Sequence, residues 1–327
     1  MMTRLLPLIV VFAATATASR AQLSLEAMGE PFDAKEIELV WQVPTNEIPQ
    51  TLATLKVSPA SFSPEVVSNV IGLCGFKEPS RVWDHFKPVA KGKTVSYKEP
   101  HPGKPVLGKY LQISPANGSI NFSDPSASAL PTTPVMGVPT EQEALTRAVE
   151  LLPKLGLREA DLAHKNDGSE LEHFNIVQKT GRIDREQKKL VETPTVRGVI
   201  FVRQVNGISF SGAGDFGGLR VEFGNEGRIK ELALTWRKLL PDKTNAVASP
   251  EQMLQFIKKG RAVIRWPQDA DVASPVRKIT FTHLRPYYYG SGGDGPQRIV
   301  LPYAMLTATA ETSNTNYSIT LSCPLLK

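Results

Sequence analysis

The stretch GVIFVRQV-NG-ISFS, residues 198–211, decides how this chain is read. Residues 198–205 are apolar on both faces, the pattern of a strand inside a sheet. Asn206-Gly207 then separates two extended runs. Both residues accept positive φ, so they predict a tight hairpin into 208–211. Downstream, Leu219, Val221 and Phe223 alternate with Arg220 and Glu222. Gly224-Asn225-Glu226-Gly227 predicts the next turn, and Leu232, Leu234 and Trp236 alternate with Glu231, Ala233 and Thr235. Alternation at period two gives each strand one face for a core and one for solvent.

Working outward, three helix starts stand out. Ser63-Pro64-Glu65 offers a cap, a proline at the first helical position and an early acid. Val66, Val67, Val70, Ile71 and Cys74 follow at helical spacing, and Gly75 closes the run. Thr140-Glu141-Gln142-Glu143 is a capping-box pattern ahead of Leu145, Ala148, Val149 and Leu152. Ser249-Pro250-Glu251-Gln252 repeats the device ahead of Met253, Leu254 and Ile257. Strand patterns follow each helix: 94–97, 110–113 and 119–122 after the first, 278–284, 298–309 and 317–323 after the third. Pro302 predicts an edge position for its strand. The expected fold class is therefore α+β, built from repeated helix-plus-antiparallel-sheet units. The expected units are 22–123, 140–241 and 249–327, with a Pro/Ser/Thr-rich linker at 124–139.

The hairpin at 203–212, with 219–223 and Gly227-Arg228-Ile229, resembles the core of PepSY-type domains, including the propeptides of thermolysin-like secreted proteases. The resemblance covers about residues 140–237, with a fainter echo after 249. It departs from the family at Ser209, where proline is common. No His-Glu-x-x-His motif follows, so the chain is not a whole zymogen of that type. The resemblance implies a cystatin-like helix-on-sheet fold. It also implies a role in binding, and restraining, an extracellular protease or another envelope protein.

Composition narrows the class. The 327 residues are 41% hydrophobic and 21% charged, which excludes a coiled coil, a collagen-like chain and a wholly disordered protein. Residues 1–21 read as a signal peptide: Arg4, an apolar run at 5–14, and Ser19 and Ala21 before a cleavage site. That predicts a mature chain from Gln22 that is secreted, or periplasmic in a Gram-negative host. Removing the two signal arginines leaves 36 basic and 32 acidic residues, a net +4. This is too mild to predict nucleic-acid binding. No later segment is apolar for long enough to predict a membrane span.

Chemical motifs are sparse. Two Gly-x-Gly-x-x-Gly matches, at 212–217 and 290–295, lead into strand-like sequence, where a dinucleotide loop would lead into a helix. No Gly-x-Ser-x-Gly elbow is present. The acids near Asp167 lack the ligand spacing of a calcium loop. His85, His101, His164, His173 and His283 are not spaced as metal ligands. No metal or cofactor is expected. His283 is in phase with Ile279 and Phe281, so it reads as a packed strand residue, with catalysis beside Tyr287 as the sharper alternative. Cys74 and Cys323 admit either a disulfide or two buried thiols. Asn117, Asn121 and Asn316 open glycosylation sequons, usable in a eukaryotic host. Tyr287-Tyr288-Tyr289 cannot all face one core, because strand side chains alternate. At least one is expected at the surface, as a binding residue.

Three functions follow as expectations. The first is a non-catalytic binding or regulatory protein with an extracellular or envelope partner. The second is a secreted hydrolase or glycan-active enzyme with a site assembled from scattered residues. The third is a structural module of an extracellular assembly.

Overall fold

The computed structural model describes residues 30–99, 108–128, 135–165, 170–184, 189–211, 218–267, 270, 275–290 and 298–327. The expected signal peptide, the glycine loop at 212–217, Gly292, Gly295 and residues 167–169 lie outside the described residues. Contacts divide the chain into two compact units. One is Val57–Leu239 with Gly292–Arg298; the other combines Met1–Lys56, Leu240–Ser291 and Ile299–Lys327.

The Val57–Leu239 unit is built on a seven-stranded sheet. Its strands run, side by side, Val95–Lys98, Tyr110–Ser114, Ser119–Ser123, Ile229–Thr235, Gly218–Phe223, Lys189–Val202 and His173–Asp184. Every neighbouring pair is antiparallel. Helix α1 (Pro64–Cys74) starts where Ser63 accepts a hydrogen bond from the Val66 N–H at 3.2 Å, and ends at Gly75 with φ 59°. Helix α2 (Pro79–Phe86) follows without a side-chain cap. Helix α3 (Glu141–Leu151) carries the full capping box of Thr140 and Glu143. Val67, Val70 and Ile71 of α1 and Ala144, Ala148 and Leu151 of α3 are buried in one core with Ile120, Phe122, Val199, Phe201, Val221 and Leu232 of the sheet. Each such large side chain stabilises the fold by about 1.5–3 kcal/mol through its removal from water.

In the other unit, helix α4 (Pro250–Lys258) has the Ser249–Gln252 capping box that its sequence predicts. Val276–Tyr289 pairs antiparallel with Pro302–Thr312, which pairs with Asn316–Pro324, then Val263–Arg265, then Glu30–Pro31. Glu38–Trp41 adds a parallel neighbour to Val276–Tyr289. Pro302 is not on an edge strand, since its strand is paired on both sides. It is tolerated because it is the first residue of the strand, where a missing N–H costs least.

The expected α+β class with repeated helix-plus-antiparallel-sheet units is therefore corrected, and the cystatin-like fold with it. Strands dominate, and the α-helices among the described residues are four short ones, of 11, 8, 11 and 9 residues. The physical reason is one long-range pairing. Ile229–Thr235, expected in the second unit, zips onto Ser119–Ser123, expected in the first, with Leu232 opposite Phe122 and Leu234 opposite Ile120. Two segments that read as separate sheets thus share one. The start of the expected linker is packed as well. Asp124 and Ala127 are buried, and Asp124 caps the short 3-10 turn Pro125–Ala127. Among the described residues, no helix is long and apolar enough to cross a membrane.

Candidate functional site

Within the Val57–Leu239 unit, an open cleft of about 790 Å³ lies between the entry to α1, the turns that follow α3, and the hairpin at Asn206-Gly207. The hairpin forms as its sequence predicts. Asn206 and Gly207 take φ 52° and 76°, and Val205 pairs with Ile208. Arg203 lies just before this hairpin, and its backbone is pinned. Its carbonyl accepts from Phe210 N–H at 2.8 Å, and it bridges to Leu162. Gly118, at φ 63°, packs against the backbone of Trp236 and Arg237, which line the cleft. A Cβ there would come within 2.7 Å of the Arg237 nitrogen, so only glycine lets the turn approach the Trp236-Arg237 backbone this closely.

The Arg203 side chain enters the cleft lining with only 8% of its surface exposed. Its guanidinium carbon lies 4.4 Å from the centre of the Trp236 ring. Nη1 donates to the Arg237 carbonyl at 2.8 Å, while Nε has no hydrogen-bond partner among the described residues. Burial pulls this guanidinium down to about 10, partly countered by Asp161, so it stays charged at neutral pH. Asp161 is itself paired with another cation. Both its oxygens are taken by Arg158, with Nε to Oδ2 at 2.9 Å and Nη2 to Oδ1 at 2.8 Å. Arg237 and Lys238 add positive charge to the same lining, and Phe62, Val66, Leu157 and Trp236 add apolar surface. Such a cleft can hold an anion with an apolar body. Among the described residues, no group of three His, Cys, Asp or Glu side chains is placed to hold a metal ion.

A second feature lies at the sheet edge. The hairpin of His173–Asp184 and Lys189–Val202 extends past its neighbour, because Gly218–Phe223 pairs only with residues 197–202. From Lys179 opposite Pro194 outward the ribbon has two strands only. Leu190 and Val191 are exposed on it, by 63 and 46%, and Phe174 and Val177 are exposed on the same hairpin where Gly218–Phe223 still backs it. Alternation puts consecutive residues such as Leu190 and Val191 on opposite faces, so both faces of the ribbon carry apolar surface. The sequence does not announce this arm. Phe174, Ile176, Val177 and Ile183 show no steady period. Arg203 does leave a signal, as a lone cation inside an apolar strand run, but its role depends on the distant Trp236 and Arg237.

The expected site residues fall elsewhere. Tyr287, Tyr288 and Tyr289 are all buried, at 3, 1 and 7% exposure, so none is a surface binding residue. Over these three residues the strand is covered on both faces. Tyr287 and Tyr289 pack on Tyr303, while the Tyr288 hydroxyl donates to the Ala53 carbonyl at 2.8 Å. Burial raises all three phenols, Tyr288 to about 12. Cys74 and Cys323 are both buried free thiols. Asn117 is exposed in a turn, Asn121 is half-buried in Ser119–Ser123, and Asn316 is exposed at the start of its strand. His283 is exposed and not packed, because a register shift between Phe281 and His283 breaks the alternation.

No family model matches the chain, and no curated protein is a significant match. Among solved structures, an uncharacterized protein from Eubacterium rectale ATCC 33656 aligns over 88% of this chain and 86% of its own, at 12% identity and a TM-score of 0.43.

Proposed function

We propose that this chain is an exported, non-catalytic binding protein that holds an extracellular or envelope protein through the arm of its seven-stranded sheet. The observation that carries the reading is the arm itself. A two-stranded ribbon is at best marginally stable in water, and this one exposes Leu190 and Val191, with Phe174 and Val177 exposed on the same hairpin nearer the sheet. A strand from a partner, added along the open edge of His173–Asp184, would pair its backbone there, and the body of that partner packed on the faces of the ribbon would cover those side chains.

The test is capture from the exported and envelope fraction of the source, with the chain from Gln22 immobilised. Wild type enriches one protein. The double variant Leu190→Ser, Val191→Thr does not, although it unfolds in urea as wild type does, since exposed substitutions cost less than about 0.5 kcal/mol. Equal enrichment by both chains, or none by either, overturns the reading.

A further inference from the structure

We propose that the cleft beside Arg203 is a second, separate binding site whose ligand is an organic carboxylate, with its head on the guanidinium and an apolar body along Phe62, Val66, Leu157 and Trp236. Burial of this charge is costly. A guanidinium taken out of water loses strong hydration, and the fold normally compensates this with a carboxylate and a full set of acceptors. Arg203 has one carbonyl acceptor, that of Arg237, and its Nε has none among the described residues. The acid that lines the cleft, Asp161, is held through both oxygens by Arg158. A buried cation left in this state, and lining an open cleft, is arranged for an anion from outside.

The geometry also specifies the anion. The guanidinium carbon lies over the Trp236 ring, 4.4 Å from its centre, and the fork of donors favours a planar, two-oxygen acceptor. A carboxylate has that shape. Inorganic phosphate can use the same fork but has no hydrocarbon body for Phe62, Val66, Leu157 and Trp236. The volume of about 790 Å³ falls in the roughly 300–1,000 Å³ range of small-molecule sites. Within a lining that is otherwise largely polar, Phe62, Val66, Leu157 and Trp236 give an acid with a hydrocarbon body a contact that a small hydrophilic one lacks.

Calorimetric titration of the full chain with 3-phenylpropanoate, its neutral amide and inorganic phosphate tests this. The acid is expected to bind at least about tenfold more tightly than the amide, a difference of about 1.4 kcal/mol. Phosphate is expected to bind more weakly than the acid. Arg203→Lys keeps the charge but loses the fork, and is expected to weaken the acid about tenfold. Arg203→Met should abolish binding. If that variant does not fold, the lysine variant and the acid–amide comparison on wild type decide the matter. The arm variant Leu190→Ser, Val191→Thr should bind the acid as wild type does, whether or not the arm has a protein partner. Equal affinity for acid and amide, tighter binding of phosphate, or no binding at about 10 mM overturns the proposal. At that concentration even a site with a Kd of about 1 mM would be nearly full.

Discussion

Glu222 is completely buried in Gly218–Phe223, directly opposite Gly198 on the neighbouring strand. A Cβ at 198 would lie 2.4 Å from the Val221 carbonyl oxygen and 3.1 Å from the Glu222 Cγ, so glycine there makes room for the acid. Burial by itself would raise this carboxyl. Hydrogen bonds from Lys230 Nζ at 2.8 Å and Arg220 Nε at 2.9 Å outweigh it and hold the group below the usual carboxylate range. A carboxyl whose pKa is lower in the folded state stabilises the fold above its unfolded pKa. That contribution disappears as pH falls through the folded value. Glu222→Gln should therefore cost about 1–3 kcal/mol near neutral pH. The gap to wild type should close as pH falls below about 4, where the unfolded carboxyl protonates. Urea unfolding of both chains across that range checks it, and a pH-independent gap would refute the ionic account. In the sequence Glu222 reads as the solvent side of an alternating strand. The alternation correctly turns it away from the helices, but it carries no information about Arg220 and Lys230 closing over it.

Among the elements, α3 shows how far local chemistry reaches. Thr140 Oγ1 accepts from the Glu143 N–H at 3.3 Å, and the Glu143 carboxylate accepts from the Thr140 N–H at 2.8 Å. Those two bonds satisfy donors that the first turn would otherwise leave open. Thr140→Ala should destabilise by about 0.5–2 kcal/mol. Faster amide exchange in the first turn of α3, with α1 unchanged, is the expected signature. The Val276–Tyr289 strand shows the opposite limit. Its period-two pattern holds from Ile279 to Phe281, then the register shift puts Leu284 inside and His283 outside. A bulge of this kind is set by the pairing strand, Pro302–Thr312, and local periodicity cannot reveal it.

At the scale of the whole molecule, the two cysteines belong to different compact units, Cys74 to one and Cys323 to the other. Burial pushes both thiols up, Cys323 to about 12. Reactivity needs the thiolate, so both should be inert in the folded chain. A thiol reagent is expected to label two cysteines in denaturant and none in native buffer. Adding reductant should leave the unfolding transition where it is. A transition that moves down in reductant would show a disulfide instead.

The sequence by itself determined what depends on residues a few positions apart. The caps at Ser63, Thr140 and Ser249 each close over three residues, and the Asn206-Gly207 turn needs only its own φ angles. The apolar alternation of the central strands is of the same kind. Only the tertiary structure decided which strands meet, since alternation marks a buried face without naming its neighbour. That is why 119–123 and 229–235 were legible as strands but not as partners. It is also why three consecutive tyrosines could be buried, with Tyr288 reaching the Ala53 carbonyl across 235 positions of chain. The Arg203 cleft belongs to the same class. Its charge is written in one strand, while the ring it lies over and its carbonyl partner come from residues 236 and 237, brought there by the fold.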